Sequence, residues 1–346
     1  MTILFELQDV EKSYAVGLGP RKGLFGGRAP RRLKALDGVR LSIAQGDSIA
    51  IVGESGSGKS TLVRLMLGLE PPSDGRLRYQ RTELASLDKP GRQRFAKEVA
   101  FIYQDARGSM NPRMRVRDIL IEPMRLYGLC APAEEAERVA RLLERVGLSA
   151  AMADRFPAEL SGGQVRRVAV ARALAAEPTT IVADESVAGL DVSVQAQLLN
   201  LLRDLCEDMG LTLIFITHDL GVASYLCERV AVMYLGRIVE EGPTGEVMRA
   251  PLHPYTSALM RAFPSFDRPL KASLSGEVPS PIDLPRGCRF ASRCPDVRPG
   301  CRLEDPVLTR RGEGEERTVA CLFPIGVTAV QGVALSAQMP TMEAHC

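Results

Sequence analysis

Residues 3–10 alternate between apolar and polar side chains, and this period of two predicts a β-strand. Short, uninterrupted apolar runs predict four further, buried strands. These runs are residues 48–52, 99–103, 180–183 and 211–216. Apolar residues at helical spacing fall between them, in residues 133–146 and 192–206. Strands that alternate with helices predict an α/β fold with a largely parallel sheet.

Two segments depart from this alternation. Residues 17–34 are rich in Gly, Pro and Arg and predict a basic loop. Its basic residues are Arg21, Lys22, Arg28, Arg31, Arg32 and Lys34. A solvated run is the simpler interpretation, and contact with anionic lipid or a partner protein is the alternative. After residue 242, Pro and Gly become dense and helical periodicity fades, so we place a domain boundary there.

Composition narrows the class of protein. The 346 residues carry 44 Lys and Arg against 42 Asp and Glu, a net charge of +2, and no Trp. Nucleic-acid-binding proteins usually carry a large basic excess or stacking aromatics, so that class is disfavoured. No run approaches the ~18 apolar residues of a membrane-spanning helix, and residues 1–10 lack a signal-peptide pattern. A cytosolic location with reduced cysteines is therefore expected.

Residues 53–60, GESGSGKS, match the phosphate-loop pattern G-x-x-x-x-G-K-[ST] between a predicted strand and a helical pattern at residues 59–69. Glycines allow successive backbone N–H groups to face phosphate oxygens, and the helix start adds partial positive charge. Lys59 would reach the β- and γ-phosphates, and the Ser60 hydroxyl would bind Mg²⁺. The predicted nucleotide-binding residues here are Gly53, Glu54, Ser55, Gly56, Ser57, Gly58, Lys59, Ser60 and Thr61.

The strand predicted at residues 180–183 is followed by two carboxylates, Asp184 and Glu185. Side chains alternate along a strand, so one carboxylate can hold Mg²⁺ while the other orients or deprotonates water. Asp184 suits the first task and Glu185 the second. His218 follows another predicted strand, at the sheet edge where open α/β folds bind ligands. It is a candidate for contact with the γ-phosphate or the attacking water.

A second glycine pair precedes a helical pattern at residues 165–175. The pentamer there resembles the signature motif of ATP-binding-cassette (ABC) ATPases and consists of Leu160, Ser161, Gly162, Gly163 and Gln164. Other residues match further family elements in the family's order. Tyr14 matches the family's aromatic that stacks on adenine, and Gln104 matches the glutamine that touches Mg²⁺ and senses the transmembrane partner. Asp191 matches a residue of the loop at the family's dimer interface, and His218 matches the switch histidine. The resemblance covers residues 2–245.

The resemblance implies an α/β P-loop NTPase with a RecA-like mixed sheet core, an inserted helical subdomain at residues 104–161 and a small cysteine-bearing C-terminal extension. It implies ATP and Mg²⁺ as cofactors, with Mg²⁺ held by Ser60, Gln104 and Asp184. Glu185 and His218 are implied to be catalytic. Two such subunits would face each other head to tail, each ATP lying between the phosphate loop of one and residues 160–164 of the other.

Residues 252–259, LHPYTSAL, look like the His-Pro-Tyr motif that opens the C-terminal extension of oligopeptide/dipeptide importer ATPases. Residues 276–281, 287–290 and 293–295 are similar to its continuation. The expected domains are an ABC ATPase domain at residues 1–245, the extension at residues 246–326 and a tail at residues 327–346. The terminal position of the tail makes it a candidate for disorder.

The resemblance implies a subunit that hydrolyses ATP to energise a membrane importer of oligopeptides or dipeptides. The implied partners are an identical or paralogous ABC ATPase subunit, two transmembrane permease subunits and, indirectly, an extracytoplasmic solute-binding protein. No nucleic acid is expected, and the implied location is peripheral, on the cytoplasmic face of the cell (inner) membrane. Two alternatives stay open: import of nickel, glutathione or another small solute, and a soluble ABC ATPase that remodels an enzyme assembly.

Four cysteines cluster in the extension: Cys288, Cys294, Cys301 and Cys321. A loop-rich unit with little core of its own often needs a staple. Disulfides are disfavoured in the cytosol, and the tight cysteine pairs of structural zinc sites are absent. Irregularly spaced thiolates can hold a [4Fe–4S] cluster, and members of the importer family resemble this chain in having such a set. The cluster is the favoured interpretation, with zinc or no metal as alternatives.

Overall fold

Two β-sheets with helices packed around them make up the computed structural model, which describes residues 2–21, 28–184, 191–262, 276–311 and 317–326. Within these residues the strands are β1 (Ile3–Arg21), β2 (Arg28–Ala44), β3 (Ser48–Val52), β4 (Asp74–Tyr79), β5 (Thr82–Glu83), β6 (Val99–Ile102), β7 (Thr180–Asp184), β8 (Thr212–Thr217), β9 (Arg229–Tyr234), β10 (Arg237–Pro243), β11 (Thr309–Arg310) and β12 (Thr318–Val319). The larger sheet has the order β11-β12-β10-β9-β3-β8-β7-β6, and the smaller has the order β2-β1-β4-β5.

The helices of the described residues are α1 (Lys59–Met66), α2 (Lys89–Glu98), α3 (Val116–Leu126), α4 (Glu135–Arg145), α5 (Gly162–Leu174), α6 (Val192–Met209), α7 (Leu220–Leu226), α8 (Thr244–Arg249) and α9 (Pro254–Ala262). The helices predicted at residues 133–146 and 192–206 are α4 and α6. The latter runs on to Gly210, whose left-handed conformation (φ 61°) ends it. No helix in the described ranges combines the length and the apolar character that a membrane crossing needs.

The parallel part of the larger sheet confirms the predicted α/β fold. Strands β9, β3, β8, β7 and β6 are neighbours and pair in parallel, and four of them are the predicted apolar runs. Both faces of this sheet are covered. Along β3, Ala50 and Val52 join the core on one face, whereas Ile49 and Ile51 join the core on the other. Burial on both faces explains why these strands are continuously apolar.

The smaller, antiparallel sheet shares a core with the larger one. Phe5 of β1, Leu65 of α1 and Ile51 of β3 belong to one buried cluster, so helix α1 connects the two sheets. The strand predicted at residues 3–10 is therefore correct, and β1 extends well beyond it.

The basic loop predicted at residues 17–34 is wrong for the described residues on either side of 22–27. Strand β1 continues to Arg21 and β2 begins at Arg28, and Leu18 pairs with Pro30 across the hairpin. Cross-strand hydrogen bonds extend both strands despite the Gly- and Pro-rich composition. Pro30 lies in β2, which is an edge strand of the smaller sheet, and edge strands are where sheets accommodate proline.

Residues 246–326, which we call the extension, are attached to the rest of the chain by buried arginines. Arg289 donates hydrogen bonds to the carboxylate of Asp37 and to the carbonyl oxygen of Leu235. Burial alone would raise the pKa of Asp37, but the hydrogen bond from Lys34 and the charge of Arg289 lower it below its ordinary value. The buried pair is thus ionised on both sides, which is how buried charges are tolerated.

A second attachment centres on Glu240 of β10, which is completely buried. Its carboxylate accepts the backbone N–H groups of Leu252 and His253, at 2.8 and 2.9 Å, and a guanidinium N–H of Arg317 at 2.7 Å. Strand β12, which follows Arg317, pairs with β10 and widens the larger sheet. One carboxylate therefore joins β10, the segment before α9 and the segment before β12.

Candidate functional site

The carboxyl ends of neighbouring strands align at one edge of the larger sheet. Val52 of β3 pairs with Thr217 of β8, and Ile216 of β8 pairs with Asp184 of β7. Strand β6 continues the same parallel order beside β7. The predicted site residues that leave these strand ends are the phosphate loop (residues 53–60), His218, Asp184 and Gln104. The fold therefore gathers four separate sequence motifs at one edge.

The phosphate loop turns sharply between β3 and α1, and glycine makes the turn feasible. Gly58 has φ 107°, a conformation that L side chains rarely adopt. A Cβ at Gly58 would lie 2.6 Å from the carbonyl oxygen of Ala35, and one at Gly53 would lie 2.3 Å from that of Met233. The loop is packed against two other chain segments, which explains the glycines at both positions.

The Lys59 ammonium lies within the curl of the loop. Its Nζ donates to the carbonyl oxygens of Gly53 and Glu54 at 2.6 and 3.0 Å, and the residue is only 7% exposed. Helix α1 begins at Lys59 and has no acidic residue in its first turn, while Ser60 is exposed there. The loop therefore combines a lysine charge with an accessible helix N-terminus, which is an arrangement suited to an anion.

Tyr14 lies on β1 beside the start of α1. Its hydroxyl donates to Oε2 of Glu70 at 2.8 Å, and Thr61 of α1 is also within hydrogen-bonding reach. The Lys12 ammonium lies 5.4 Å from the ring centre. Burial, followed by the Glu70 carboxylate, raises the pKa of Tyr14, so the phenol is neutral. These contacts fix the ring next to the phosphate loop.

The predicted metal-binding residues supply only oxygen ligands. Asp184 is the half-buried last residue of β7, Gln104 is exposed two residues after β6, and Ser60 is exposed in the first turn of α1. Carboxylate, amide and hydroxyl oxygens fit Mg²⁺, which prefers hard oxygen donors. His218 is exposed directly after β8. Glu185, the predicted catalytic base, lies outside the described residues, so its role stays a prediction.

The predicted signature segment forms a capped, exposed helix start. Ser161 precedes α5, and its Oγ accepts the N–H of Gln164 at 3.3 Å, while Oε1 of Gln164 accepts the N–H of Ser161 at 2.9 Å. Gly163 faces α6, because a Cβ there would lie 2.9 Å from Cγ1 of Val194. Ser161 and Gly162 are exposed. This helix start is accessible to an anion that approaches from outside the chain.

Two contacts anchor the surroundings of the signature segment. Leu160 is buried, and its carbonyl accepts a guanidinium N–H of Arg107 at 2.9 Å. Asp191 caps α6: its Oδ1 accepts the N–H of Val194 at 2.9 Å and the hydroxyl of Ser193 at 2.8 Å. These hydrogen bonds, chiefly the one from the backbone, lower the pKa of Asp191. The exposed Asp191 is therefore an ionised helix cap.

The extension reaches the phosphate loop through two residues that sequence reasoning did not assign. The hydroxyl of Tyr255 accepts the backbone N–H of Glu54 at 2.9 Å. Arg293 donates to both carboxylate oxygens of Glu54, at 2.7 and 3.1 Å. Tyr255 belongs to the His-Pro-Tyr segment, and Arg293 precedes Cys294 in another segment resembling the importer family. Both segments could be recognised in the sequence, but the sequence did not show that both contact Glu54.

Four free thiols converge in the extension. Cys288, Cys294, Cys301 and Cys321 line one cavity of about 20 Å³ together with His253. Burial raises the pKa of three of the thiols, that of Cys321 to about 11. Within the described ranges, no group of three or more His, Cys, Asp or Glu is arranged to hold a metal ion. The thiols suit an iron–sulfur cluster in kind, but their arrangement here does not form a metal site.

Comparison with known protein families gives two matches. Residues 36–188 match the family described as ABC transporter. Residues 239–301 match the family described as oligopeptide/dipeptide transporter, C-terminal region. The first match contains the phosphate loop, and the second contains Tyr255 and Arg293, which contact Glu54.

Curated relatives match most of the chain. It is 43% identical over 328 residues to the oligopeptide transport ATP-binding protein OppF of Escherichia coli, with 92% of this chain and 96% of the relative covered. It is 43% identical over 322 residues to the dipeptide transport ATP-binding protein DppF of the same organism, with 92% and 93% covered. The probable peptide ABC transporter ATP-binding protein y4tS of Sinorhizobium fredii is 42% identical over 321 residues, with 92% and 89% covered.

Solved structures match the larger part of the fold. The ATP-binding cassette MJ0796, in a dimeric post-hydrolysis state bound to ADP and phosphate, is 29% identical with a TM-score of 0.60, and the match covers 70% of this chain and 99% of that one. The protein cbiO1 of Clostridium perfringens, part of the transporter complex cbiONQ, is 27% identical with a TM-score of 0.60, covering 72% and 92%.

Proposed function

This chain belongs to the ABC transporter family, as an ATP-binding subunit of its oligopeptide/dipeptide branch, and from that premise we propose that it hydrolyses ATP to energise peptide import. One observation carries the enzymatic part of the proposal. The phosphate loop, with Lys59 in its curl, opens at the same sheet edge as Asp184 and His218. Nucleotide hydrolysis needs an anion site, a carboxylate that holds Mg²⁺ and a residue that orients water or contacts the γ-phosphate, and the residues at this edge can supply these groups.

The loop and its neighbours would bind the nucleotide. Lys59 would exchange the carbonyl oxygens of Gly53 and Glu54 for the β- and γ-phosphate oxygens. The adenine would stack on Tyr14, whose ring is already held by Glu70.

A second set of residues would carry hydrolysis. Ser60, Gln104 and Asp184 would hold Mg²⁺, which when bound neutralises charge on the phosphate oxygens. Glu185 would orient or deprotonate the attacking water, and His218 would contact the γ-phosphate. Loss of that phosphate would then reopen the assembly, as in other nucleotide switches.

A second ATPase subunit is part of the proposal. The exposed start of α5 would complete the ATP site of an identical or paralogous partner, in a head-to-tail pair. MJ0796, which matches 70% of this chain, is dimeric in its solved structure. Because ATP would be held from both sides, it would bind the closed pair better than the open one.

The remaining proposed partners follow from the relatives. We place the chain on the cytoplasmic face of the cell membrane, peripherally, with two permease subunits and, indirectly, an extracytoplasmic solute-binding protein. Peptide is the preferred solute because the relatives that cover 92% of this chain are named for oligopeptide or dipeptide transport. Import of nickel, glutathione or another solute, and remodelling of an enzyme assembly, are the competing functions.

Reconstitution tests this function. The chain would be co-purified with its permease and ATPase partners, placed in proteoliposomes and supplied with its solute-binding protein. We expect di- or oligopeptides to stimulate ATP hydrolysis and to accumulate inside, and Lys59→Ala to abolish both. Lys89→Ala, on an exposed residue of α2, is the matched control and should behave as wild type. Stimulation by nickel or glutathione instead of peptide would contradict the peptide assignment, and absence of ATP hydrolysis would contradict the enzymatic one.

For the cysteine cavity, we infer a [4Fe–4S] cluster, with zinc or no metal as the alternatives. Only the chemistry of the donors supports it: four free thiols line one cavity, although in the described residues they are not arranged as a metal site. A bound cluster would supply a cross-link between the loops of the extension. The test is anaerobic purification followed by iron, sulfide and zinc analysis, with a Cys294→Ser/Cys301→Ser variant as the control. Colourless protein without iron would contradict the cluster assignment. Stoichiometric zinc would show that the four thiols bind zinc instead.

A further inference from the structure

The phosphate loop contains a negatively charged residue, Glu54, although its proposed ligand is also negatively charged. Its sequence, GESGSGKS, places the carboxylate of Glu54 in a loop whose proposed task is to bind a triphosphate. Like charges at short range disfavour each other, and the more so where water is partly excluded. The loop therefore needs something that offsets the charge of Glu54.

Arg293 of the extension supplies that charge. Its Nη1 lies 2.7 Å from Oε2 of Glu54 and its Nη2 lies 3.1 Å from Oε1, a two-pronged pairing that fixes the plane of the carboxylate. The side chain of Arg293 is only 3% exposed and that of Glu54 is 27% exposed. Nη1 also donates to the hydroxyl of Tyr234 at 3.4 Å, which helps hold the guanidinium in place.

Tyr255 holds the backbone of the same residue. Its hydroxyl accepts the N–H of Glu54 at 2.9 Å, and the ring is completely buried against Tyr234 and Phe290. Two residues of the extension therefore hydrogen-bond to Glu54: Tyr255 binds its backbone N–H, and Arg293 binds its carboxylate. Glu54 is the second residue of the phosphate loop, so any displacement of Glu54 would move the start of the loop.

We propose that Arg293 and Tyr255 are positioning residues of the nucleotide site: they offset the charge of Glu54 and hold the phosphate loop in the shape that accepts ATP. This inference rests on the proposed ATP-binding function. Neither residue needs to touch the nucleotide, since both act through Glu54. The extension is therefore a structural part of the ATPase site.

The charge of Glu54 makes the inference testable by rescue. Arg293→Gln leaves the Glu54 carboxylate unpaired beside the triphosphate, and we expect about tenfold weaker ATP binding, the equivalent of 1.4 kcal/mol. The Michaelis constant should rise more than the turnover number falls, because the loss is in binding. Adding Glu54→Gln to Arg293→Gln removes the unpaired negative charge and should restore most of the affinity for ATP. Arg293→Lys keeps the charge but loses the two-pronged pairing, so its ATP affinity should lie between those of the wild type and Arg293→Gln.

Controls separate this role from general stability. Arg298→Gln alters another arginine of the extension, one whose guanidinium lies 4.3 Å from the ring centre of Phe323, and should leave ATP binding unchanged. Tyr255→Phe removes only the acceptor for the Glu54 N–H and should weaken binding less than Arg293→Gln. ATP affinity, steady-state kinetics and the nucleotide-free thermal midpoint would be measured on the purified full chain and on the assembled complex.

The outcomes distinguish this inference from the function on which it rests. Wild-type protein that fails to bind ATP would overturn the proposed function. Wild-type binding with unchanged affinity in Arg293→Gln would overturn only the positioning role. Arg293→Gln and the double variant binding ATP equally weakly would also overturn it, because a structural defect, unlike a charge defect, is not relieved by neutralising Glu54. Recovery of affinity in the double variant is the result that supports it.

Discussion

At the scale of single residues, the position of Tyr14 suggests how the site would hold a base. Its hydroxyl is bound to Glu70, so the ring and the hydroxyl have separable roles. We expect Tyr14→Ala to weaken ATP binding about tenfold, since base–aromatic stacking contributes roughly 1–3 kcal/mol. Tyr14→Phe keeps the ring and should retain most of the affinity. Calorimetric titration with ATP decides, and an unchanged affinity in Tyr14→Ala would remove the stacking assignment.

A second prediction concerns Glu185. If this carboxylate activates water, Glu185→Gln should retain ATP binding and favour closed pairs, but lower turnover by at least about 100-fold, within the usual contribution of a general base. Steady-state hydrolysis and gel filtration with ATP would be measured on the assembled complex. Near-normal turnover in this variant would reject Glu185 as the base.

At the scale of elements, Glu240 is the contact that joins β10 to two segments of the extension. Its carboxylate accepts three N–H groups, and an amide in its place would turn its NH₂ toward one of these donors. We expect Glu240→Gln to lower the free energy of unfolding by about 3 kcal/mol, the scale of a broken buried ion pair.

Urea unfolding would measure this loss. Asp9→Asn is the control, because the Asp9–Arg40 pair is exposed on both sides, with side chains 61% and 67% exposed, and such pairs contribute little. Equal unfolding midpoints for Glu240→Gln and the control would show that the buried contact does not stabilise the chain.

For the molecule as a whole, charged pairs join the extension to residues 1–245. Asp37, Glu54 and Glu240 lie outside the extension, and each is paired with an arginine within it. A chain ending at residue 245 would leave three carboxylates without these partners. We expect it to be several kcal/mol less stable or insoluble, because it loses three charge-assisted pairs and the apolar packing of Tyr234 against Tyr255 and Phe290.

Neutralisation provides the matched control for this truncation. Replacing the three carboxylates by Asn or Gln in the shortened chain should recover part of the thermal midpoint. If the shortened chain without substitutions were as stable as the full chain, the extension would not stabilise residues 1–245.

Much of the nucleotide site could be predicted from the sequence because its motifs are contiguous. The phosphate loop, Asp184 and His218 each follow a strand that its apolar run revealed, and parallel pairing brings these strand ends to one edge. The hairpin between β1 and β2 could not be predicted in the same way. Its composition favours a loop, and only the cross-strand pairing of Leu18 with Pro30 makes it a strand.

Local sequence is enough to predict an α/β fold with a nucleotide site, a second helix start suited to an anion and a cysteine-bearing extension. These depend on short stretches whose side chains act locally. Which arginine pairs with which carboxylate follows from the packing of distant segments. Arg293 and Glu54 are 239 positions apart, and no local pattern encodes their pairing. It arises because the packing of Tyr255 and the burial of Glu240 bring the extension against the phosphate loop.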